Sequence, residues 1–182
     1  MAKKVLIISS SLRAGSNSEI LARECEKGAK AAGHEVEFIS LKGKEIKFCI
    51  GCLSCQRTGS CVLKDDVPGI MDRVKAAEVI VFATPIYYYE MSGQLKTLLD
   101  RLNPLYAADY AFREIYMIAT AAEDGEATFD KAYHGLQDWV DCFEKAELKG
   151  IVADGGIDAA HAAVSHDDVM QKAYRLGFDL GI

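Results

Sequence analysis

Four of the six cysteines in this 182-residue chain, Cys49, Cys52, Cys55 and Cys61, stand in the pattern C-x2-C-x2-C-x5-C. Thiolates at such short spacing, with glycines between them, can wrap one [4Fe-4S] cube, and the first three match the opening of the bacterial ferredoxin run. The fourth follows five intervening residues and precedes Val62 rather than proline, so a two-cluster ferredoxin is not indicated. Other uses of the same residues stay open. Zinc takes four cysteines, although structural zinc sites usually separate their C-x2-C pairs by a longer stretch. Thiol redox chemistry needs only two, with a disulfide as the oxidised form.

A second set of groups suits an anion. Ser9-Ser-Ser-Leu-Arg-Ala-Gly-Ser-Asn-Ser18 offers five hydroxyls, one guanidinium, one amide and a glycine just before a helix start. Free N–H groups at a helix N-terminus, its dipole and short hydroxyl donors favour a bound phosphate. A capping box between Ser16 and Glu19 fits the spacing but accounts for those two residues only. The segment contains neither G-x-x-x-x-G-K-S/T nor G-x-G-x-x-G, so neither a P-loop nucleotidase nor a Rossmann dehydrogenase fits. Farther on, Thr84-Pro-Ile-Tyr-Tyr-Tyr-Glu-Met91 strings three aromatics together, which suits a flat heterocycle, although a tyrosine run by itself is more often core or surface packing than a cofactor site. Thr120-Ala-Ala-Glu-Asp-Gly125 has small residues that let backbone approach the same ring. His34, His134, His161 and His166 have no metal-ligand spacing, and Cys25 and Cys142, on helix faces, read as small core residues.

These groups need strands and helices to bring them together. Lys3 to Ser9, with the unbroken apolar run Val5 to Ile8, reads as a strand covered on both faces. A helix over Ser16 to Ala32 follows, ended by Gly33, then a strand over Glu35 to Leu41. After the cysteine-rich loop, at about 43–65, come a helix from Val67 to Ala77 with Pro68 in its first turn, and a strand from Glu78 to Ala83. Ser92 to Leu102 is a helix with Leu95, Leu98, Leu99 and Leu102 on one face. Arg113 to Thr120 is a fourth strand. A long helix with Phe129, Ala132, Tyr133, Leu136, Val140 and Phe143 on one stripe, a fifth strand from Leu148 to Ala153, and a helix opening near Ser165 in a capping box with Asp168 complete the chain. Alternating strands and helices require a parallel sheet with right-handed crossovers and helices on both sides. The expected fold is an α/β three-layer sandwich, one domain over residues 1–182, with ligands at the carboxyl ends of the strands.

Composition narrows the class further. Half of the residues are hydrophobic, 26% are charged, and the net charge of −6 speaks against a general nucleic-acid binder. The longest apolar runs, such as Val79 to Ala83, fall far short of the roughly 20 residues of a membrane span, and Val5 to Ile8 falls short of a signal peptide. The expectation is a cytoplasmic protein without a membrane or nucleic-acid partner, in which six cysteines point to metal or redox chemistry rather than structural disulfides.

The hydroxyl loop Ser9–Ser18 together with Thr84-Pro-Ile-Tyr-Tyr-Tyr-Glu-Met-Ser-Gly-Gln-Leu-Lys-Thr-Leu-Leu-Asp-Arg101 resembles the paired signatures of the NADPH-dependent FMN reductase branch of flavodoxin-like proteins. The resemblance covers nearly the whole chain and implies a five-stranded sheet in the order 2-1-3-4-5. It also implies that Ser10, Arg13, Ser16, Asn17 and Ser18 hold the FMN phosphate. Pro85, Ile86, Tyr87, Tyr88 and Tyr89 would line the ribityl chain and isoalloxazine, with Thr120, Ala121 and Glu123 in the third flavin loop. Lys96, Asp100 and Arg101 belong to the same family motif and, on a helix, can serve packing and surface ion pairs alone. The cysteine spacing resembles that of iron-sulfur flavoproteins, which share this core and pass electrons between a cluster and FMN; many flavin reductase relatives keep a similar run without a demonstrated cluster. The function implied is an FMN-dependent NAD(P)H oxidoreductase of the flavin or quinone reductase kind, working with a small-molecule or protein electron donor or acceptor, as a homo-dimer or homo-tetramer. The alternative is a flavodoxin-type electron carrier without an organic substrate of its own.

Overall fold

The structure, a computed structural model, describes residues 1–181. The strands are β1 (Lys4–Ser9), β2 (Glu35–Ser40), β3 (Val79–Tyr87), β4 (Glu90–Met91), β5 (Glu114–Thr120) and β6 (Glu147–Asp154). The helices are α1 (Asn17–Ala31), α2 (Ser54–Thr58), α3 (Val67–Ala76), α4 (Gly93–Arg101), α5 (Asp130–Val140) and α6 (Asp167–Phe178). Five strands pair in parallel in the order β2-β1-β3-β5-β6, with β4 hooked antiparallel onto the end of β3. Leaving β4 aside, this is the expected order, and the alternation of strand and helix is what produces it.

The apolar runs divide between two layers because successive side chains of a strand point to opposite faces. Leu6, Ile8, Ile80, Phe82, Met117 and Ala119 face a core closed by α3, α4 and α5. Val5, Ile7, Val79, Val81, Ala83 and Ile118 face the layer of α1 and α6. Those two helices cross so closely that a Cβ on Gly28 would run into the Tyr174 carbonyl oxygen, and one on Gly177 into that of Cys25. Only glycine at both positions allows the approach. Cys25 lies in this layer, its thiol pushed up to about 12 by burial and then by the Glu26 carboxylate, and it is chemically quiet.

Four local differences from the sequence expectations have physical causes. The strand ending at Ala83 runs on to Tyr87, because after Pro85 the chain reverses through Tyr88-Tyr89 and returns as β4. Cys142 lies beyond the end of α5 and is exposed, not a core residue. The helix expected at Ser165 starts at Asp167, and the Ser165 hydroxyl donates to the Ala162 carbonyl at 2.8 Å, closing the preceding 3-10 turn instead of a capping box. Lys96 and Asp100 do form a surface pair at 2.6 Å, whereas Arg101 is wholly buried against Asp65. Among the described residues no helix is long and apolar enough to cross a membrane.

Candidate functional site

The loops after β1, β3 and β5 meet at the carboxyl edge of the sheet, where β1 and β3 run side by side and the strand order reverses. Their floor is fixed first. Ser10 is fully buried; its N–H and hydroxyl both reach the Ala83 carbonyl, at 2.9 and 3.0 Å, and its hydroxyl also lies 2.8 Å from that of Ser92. Ser92 caps α4, and its own N–H donates to the Thr84 hydroxyl at 2.9 Å. The hydroxyl loop is thus bolted to β3 and to the start of α4.

Above this floor the chain turns at Gly15, with φ of +68°, into α1. The first N–H groups of a helix lack partners within it. Here that of Glu19 reaches the Ser16 hydroxyl at 3.4 Å and that of Ile20 the Ser16 carbonyl at 3.0 Å, which leaves those of Asn17 and Ser18 for a ligand. The Ser18 hydroxyl, buried below, is 3.1 Å from that of Ser16. Glu19 does not complete the box; its carboxylate accepts from the Ser9 hydroxyl at 3.5 Å.

The fourth wall is a segment that sequence reasoning missed, the loop after β6. Asn17 donates to the carbonyls of Ile157 and Ala159 at 3.1 and 2.9 Å and accepts from the Ala163 N–H at 3.1 Å. Arg13 donates to the Asp158 carbonyl at 2.6 Å, and the His161 N–H to that of Gly15 at 2.9 Å. The signal for this wall lay in Gly155-Gly156, since a Cβ on Gly155 would stand 2.5 Å from the Glu123 carbonyl oxygen, so only a glycine there lets the loops after β5 and β6 touch.

A cleft of about 160 Å³ opens among these walls, lined by Arg13, Ser16, Asn17, Pro85, Ile86, Tyr87, Thr120 and Ala121, and by the unforeseen Ser11, Ala122, Ile157 and Asp158. Ser10 and Ser18, expected among the phosphate ligands, are fully buried and do not line it. Tyr88 and Tyr89 form the tip of the β3–β4 hairpin with φ of +52° and +67°. Both central residues in left-handed backbone is the mark of a type I′ turn, which glycine or asparagine usually supplies. Tyr88 is 98% exposed. Tyr89 and Glu123 do not line the cleft; Tyr89 donates to the Glu123 carboxylate at 2.7 Å, tying the hairpin tip to the loop after β5, a bond that, with the carboxylate's charge, raises its pKa. Broader grooves of about 400 and 450 Å³ lie at the amino ends of β1 and β2 and along the outer side of α1, away from the loops after β3 and β5. The donor set of the cleft fits FMN: free N–H groups at a helix start and hydroxyls for a phosphate, then small and apolar residues and backbone for a flat ring.

The four clustered cysteines line one cavity of about 30 Å³ with apolar walls from Ile50, Leu53, Val62 and Leu63. Gly51, Leu53 and Gly59 have φ of +65°, +54° and +72°, turning the chain sharply around it. Asn103 donates to the Cys55 sulfur at 3.1 Å, and the backbone N–H and then the hydroxyl of Ser54 pull the Cys52 thiol below its ordinary pKa. Four cysteines on one cavity, with donors aimed at two of the sulfurs, are the kind of ligand set an iron–sulfur group uses, although Cys49 and Cys52 are exposed and only Cys55 and Cys61 are half-buried. Among the described residues, no group of three or more His, Cys, Asp or Glu side chains is placed to hold a metal ion, and all six cysteines are free.

A parallel sheet in this order, with loops for a phosphorylated ligand at its carboxyl edge, defines a flavodoxin-like protein. The model of the NADPH-dependent FMN reductase family matches residues 3–148, and the chain belongs to that family. An iron-sulfur flavoprotein of Methanocaldococcus jannaschii is 43% identical over 102 residues, covering 56% of this chain and 53% of that protein. Another, from Methanosarcina thermophila, is 28% identical over 138 residues, covering 75% and 72%. The chain spans about half the length of several of these curated relatives. Among solved structures, the NAD(P)H:quinone oxidoreductase from Methanothermobacter marburgensis superposes with a TM-score of 0.78 at 18% identity, over 100% of this chain and 98% of that one. An azoreductase from Bacillus anthracis gives 0.71 at 15%, over 97% and 99%. At those identities the likeness is one of fold.

Proposed function

We propose that this protein is an FMN-dependent NAD(P)H oxidoreductase whose four-cysteine loop carries a [4Fe-4S] cluster. The observation that carries the flavin reading is the meeting of the hydroxyl-rich start of α1 with the β3–β4 hairpin and the β5 loop at the carboxyl edge of the sheet. Tyr87 and the Thr120–Ala122 backbone, which line the same cleft, would hold the ring. When bound, FMN supplies the chemistry: it takes a hydride, two electrons and a proton, from NAD(P)H and returns two electrons to an acceptor. The protein's role is positional. Asn17 and Ser18 N–H groups and the Ser11 and Ser16 hydroxyls would hold the dianion, Arg13 would offer charge at the rim, and Ser10 keeps the loop against β3. Tyr89, held by Glu123, would limit water from the hairpin side.

For the cysteine loop the cluster is favoured over zinc by spacing: structural zinc sites usually separate their C-x2-C pairs by a longer stretch, whereas here four cysteines fall within thirteen residues and line one cavity. The acceptor is a small molecule or a protein, the setting cytoplasmic, and the assembly a dimer or tetramer.

Anaerobic mixing with NADPH and with NADH tests the enzyme. Rapid bleaching of the flavin, reversed by an added quinone, is expected with at least one of them. Flavin that stays coloured under both, yet bleaches with a reduced ferredoxin, would mean a carrier. Iron and acid-labile sulfide at about 4 each per chain are expected in anaerobically purified protein; flavin without iron would end the cluster reading.

A further inference from the structure

Arg101 ends α4 with its side chain fully buried beside that of Asp65. Its Nη1 donates to Asp65 Oδ2 at 2.5 Å and to the Lys47 carbonyl at 2.7 Å, and its Nη2 to Asp65 Oδ1 at 3.1 Å. These bonds grip both stems of the cysteine segment, for Lys47 stands two residues before Cys49 and Asp65 four after Cys61. The stems are tied to one another as well. The Lys47 N–H donates to Asp65 Oδ2 at 2.9 Å, the Lys47 ammonium to the Lys64 carbonyl at 2.8 Å, and the Glu45 N–H to Asp66 Oδ2 at 2.7 Å. One donor is left over: Arg101 Nε is buried and, among the described residues, has no partner. Two residues beyond Arg101, Asn103 reaches the Cys55 sulfur, so the end of α4 touches the thiol cavity directly.

A buried ion pair is poor evidence of stabilisation, since apolar residues of equal volume often serve as well or better; its established use is to enforce one arrangement over others. The environment of the pair agrees with that use. Both side chains are out of solvent, the guanidinium meets both carboxylate oxygens, and the N–H groups of Lys47 and Val67 donate to the same carboxylate at 2.9 and 3.1 Å. Lysine could supply the charge but not the planar fork that binds two carboxylate oxygens and a carbonyl together.

We infer that Arg101, locked in a fork on Asp65, is the positioning residue of the four-thiol site: it fixes both stems of the loop so that Cys49, Cys52, Cys55 and Cys61 share one cavity before iron arrives. The inference rests on the cluster reading for the identity of the metal, and on the geometry alone for the gathering of the thiols. Two variants test it in the full chain, Arg101→Lys, which keeps the charge and loses the fork, and Asp65→Asn, which weakens the acceptor. The metal-free protein is treated with iodoacetamide and the alkylation rate of each cysteine is read by mass spectrometry. Cys55 and Cys61 are expected to react about 10-fold faster in both variants, as loop opening becomes easier. Cys25 in the α1–α6 layer keeps its wild-type rate, and FMN affinity changes by less than about twofold, reporting an intact core. Reconstitution with ferrous iron and sulfide, read by the charge-transfer absorbance of the cluster, is expected to need about 10- to 100-fold more iron in the variants. Unchanged Cys55 and Cys61 rates overturn the inference, as does acceleration of Cys25 together with loss of FMN, which would assign Arg101 to the whole fold. Wild-type protein that takes up no iron while the alkylation pattern holds ends the cluster reading and leaves the positioning role standing.

Discussion

Asn17 holds three backbone groups from a loop some 140 residues away in sequence, and it does so while contributing its own N–H to the start of α1. Asn17→Ala leaves two carbonyls and one N–H without their side-chain partner in a largely buried place. Unmet buried groups cost about 1–3 kcal/mol each at most, and water entering the cleft recovers some of that, so a loss of about 2–3 kcal/mol in unfolding free energy is expected in urea denaturation. FMN affinity should fall by about 10-fold or more, because the wall carrying Asp158 and the Arg13 contact is released. Wild-type stability with wild-type FMN affinity would deny Asn17 this role. The Ser16 cap was legible from its spacing to Glu19, because capping is local. The role of Asn17 was legible only as an amide near a phosphate, because its partners follow β6 and no short-range pattern announces them. Arg101 was misjudged for a related reason: a cation on a helix reads as surface until the opposing Asp65, 36 positions earlier, is known to be buried with it.

At the scale of elements, the β3–β4 hairpin carries the strain. Tyr88 and Tyr89 both occupy left-handed backbone, which costs a residue with a Cβ about 1–2 kcal/mol, and Tyr88 has almost no contact to offset it. Tyr88→Gly is therefore expected to raise the unfolding free energy by about 1 kcal/mol in thermal or urea denaturation. A variant of equal or lower stability would show that Tyr88 carries no strain that glycine relieves. The aromatic run was legible as a ligand edge, but the return strand was not, since a type I′ turn is normally announced by Asn-Gly and not by two tyrosines. α4 is the other decisive element. Nine residues at about 1.5 Å each make it about 14 Å long. Ser92 at its start binds Ser10, just after β1, and Thr84 of β3, and Arg101 at its end binds the stems of the cysteine loop. One rigid helix thus fixes the spacing of the two candidate redox sites, and its Lys96–Asp100 pair faces solvent.

At the scale of the whole molecule, the layered architecture follows from apolar runs that alternate with amphipathic helices, and it was readable with its strand order because right-handed crossovers leave few alternatives. The cysteine loop was readable as an insertion but not in its shape, since it has few buried residues of its own and takes its form from α4 and the Asp65–Asp66 stem. The family match over residues 3–148 stops at the start of β6, before the loop that Asn17 and Arg13 hold. The central claim is that the carboxyl edge of the sheet is an FMN seat whose affinity comes largely from the phosphate at the start of α1. Titration of flavin-free protein with FMN and with riboflavin tests it most directly. Two or so charge-assisted hydrogen bonds, worth about 1.5–3 kcal/mol each, predict FMN binding at least about 100-fold tighter than riboflavin. Equal affinity for the two flavins would contradict the account.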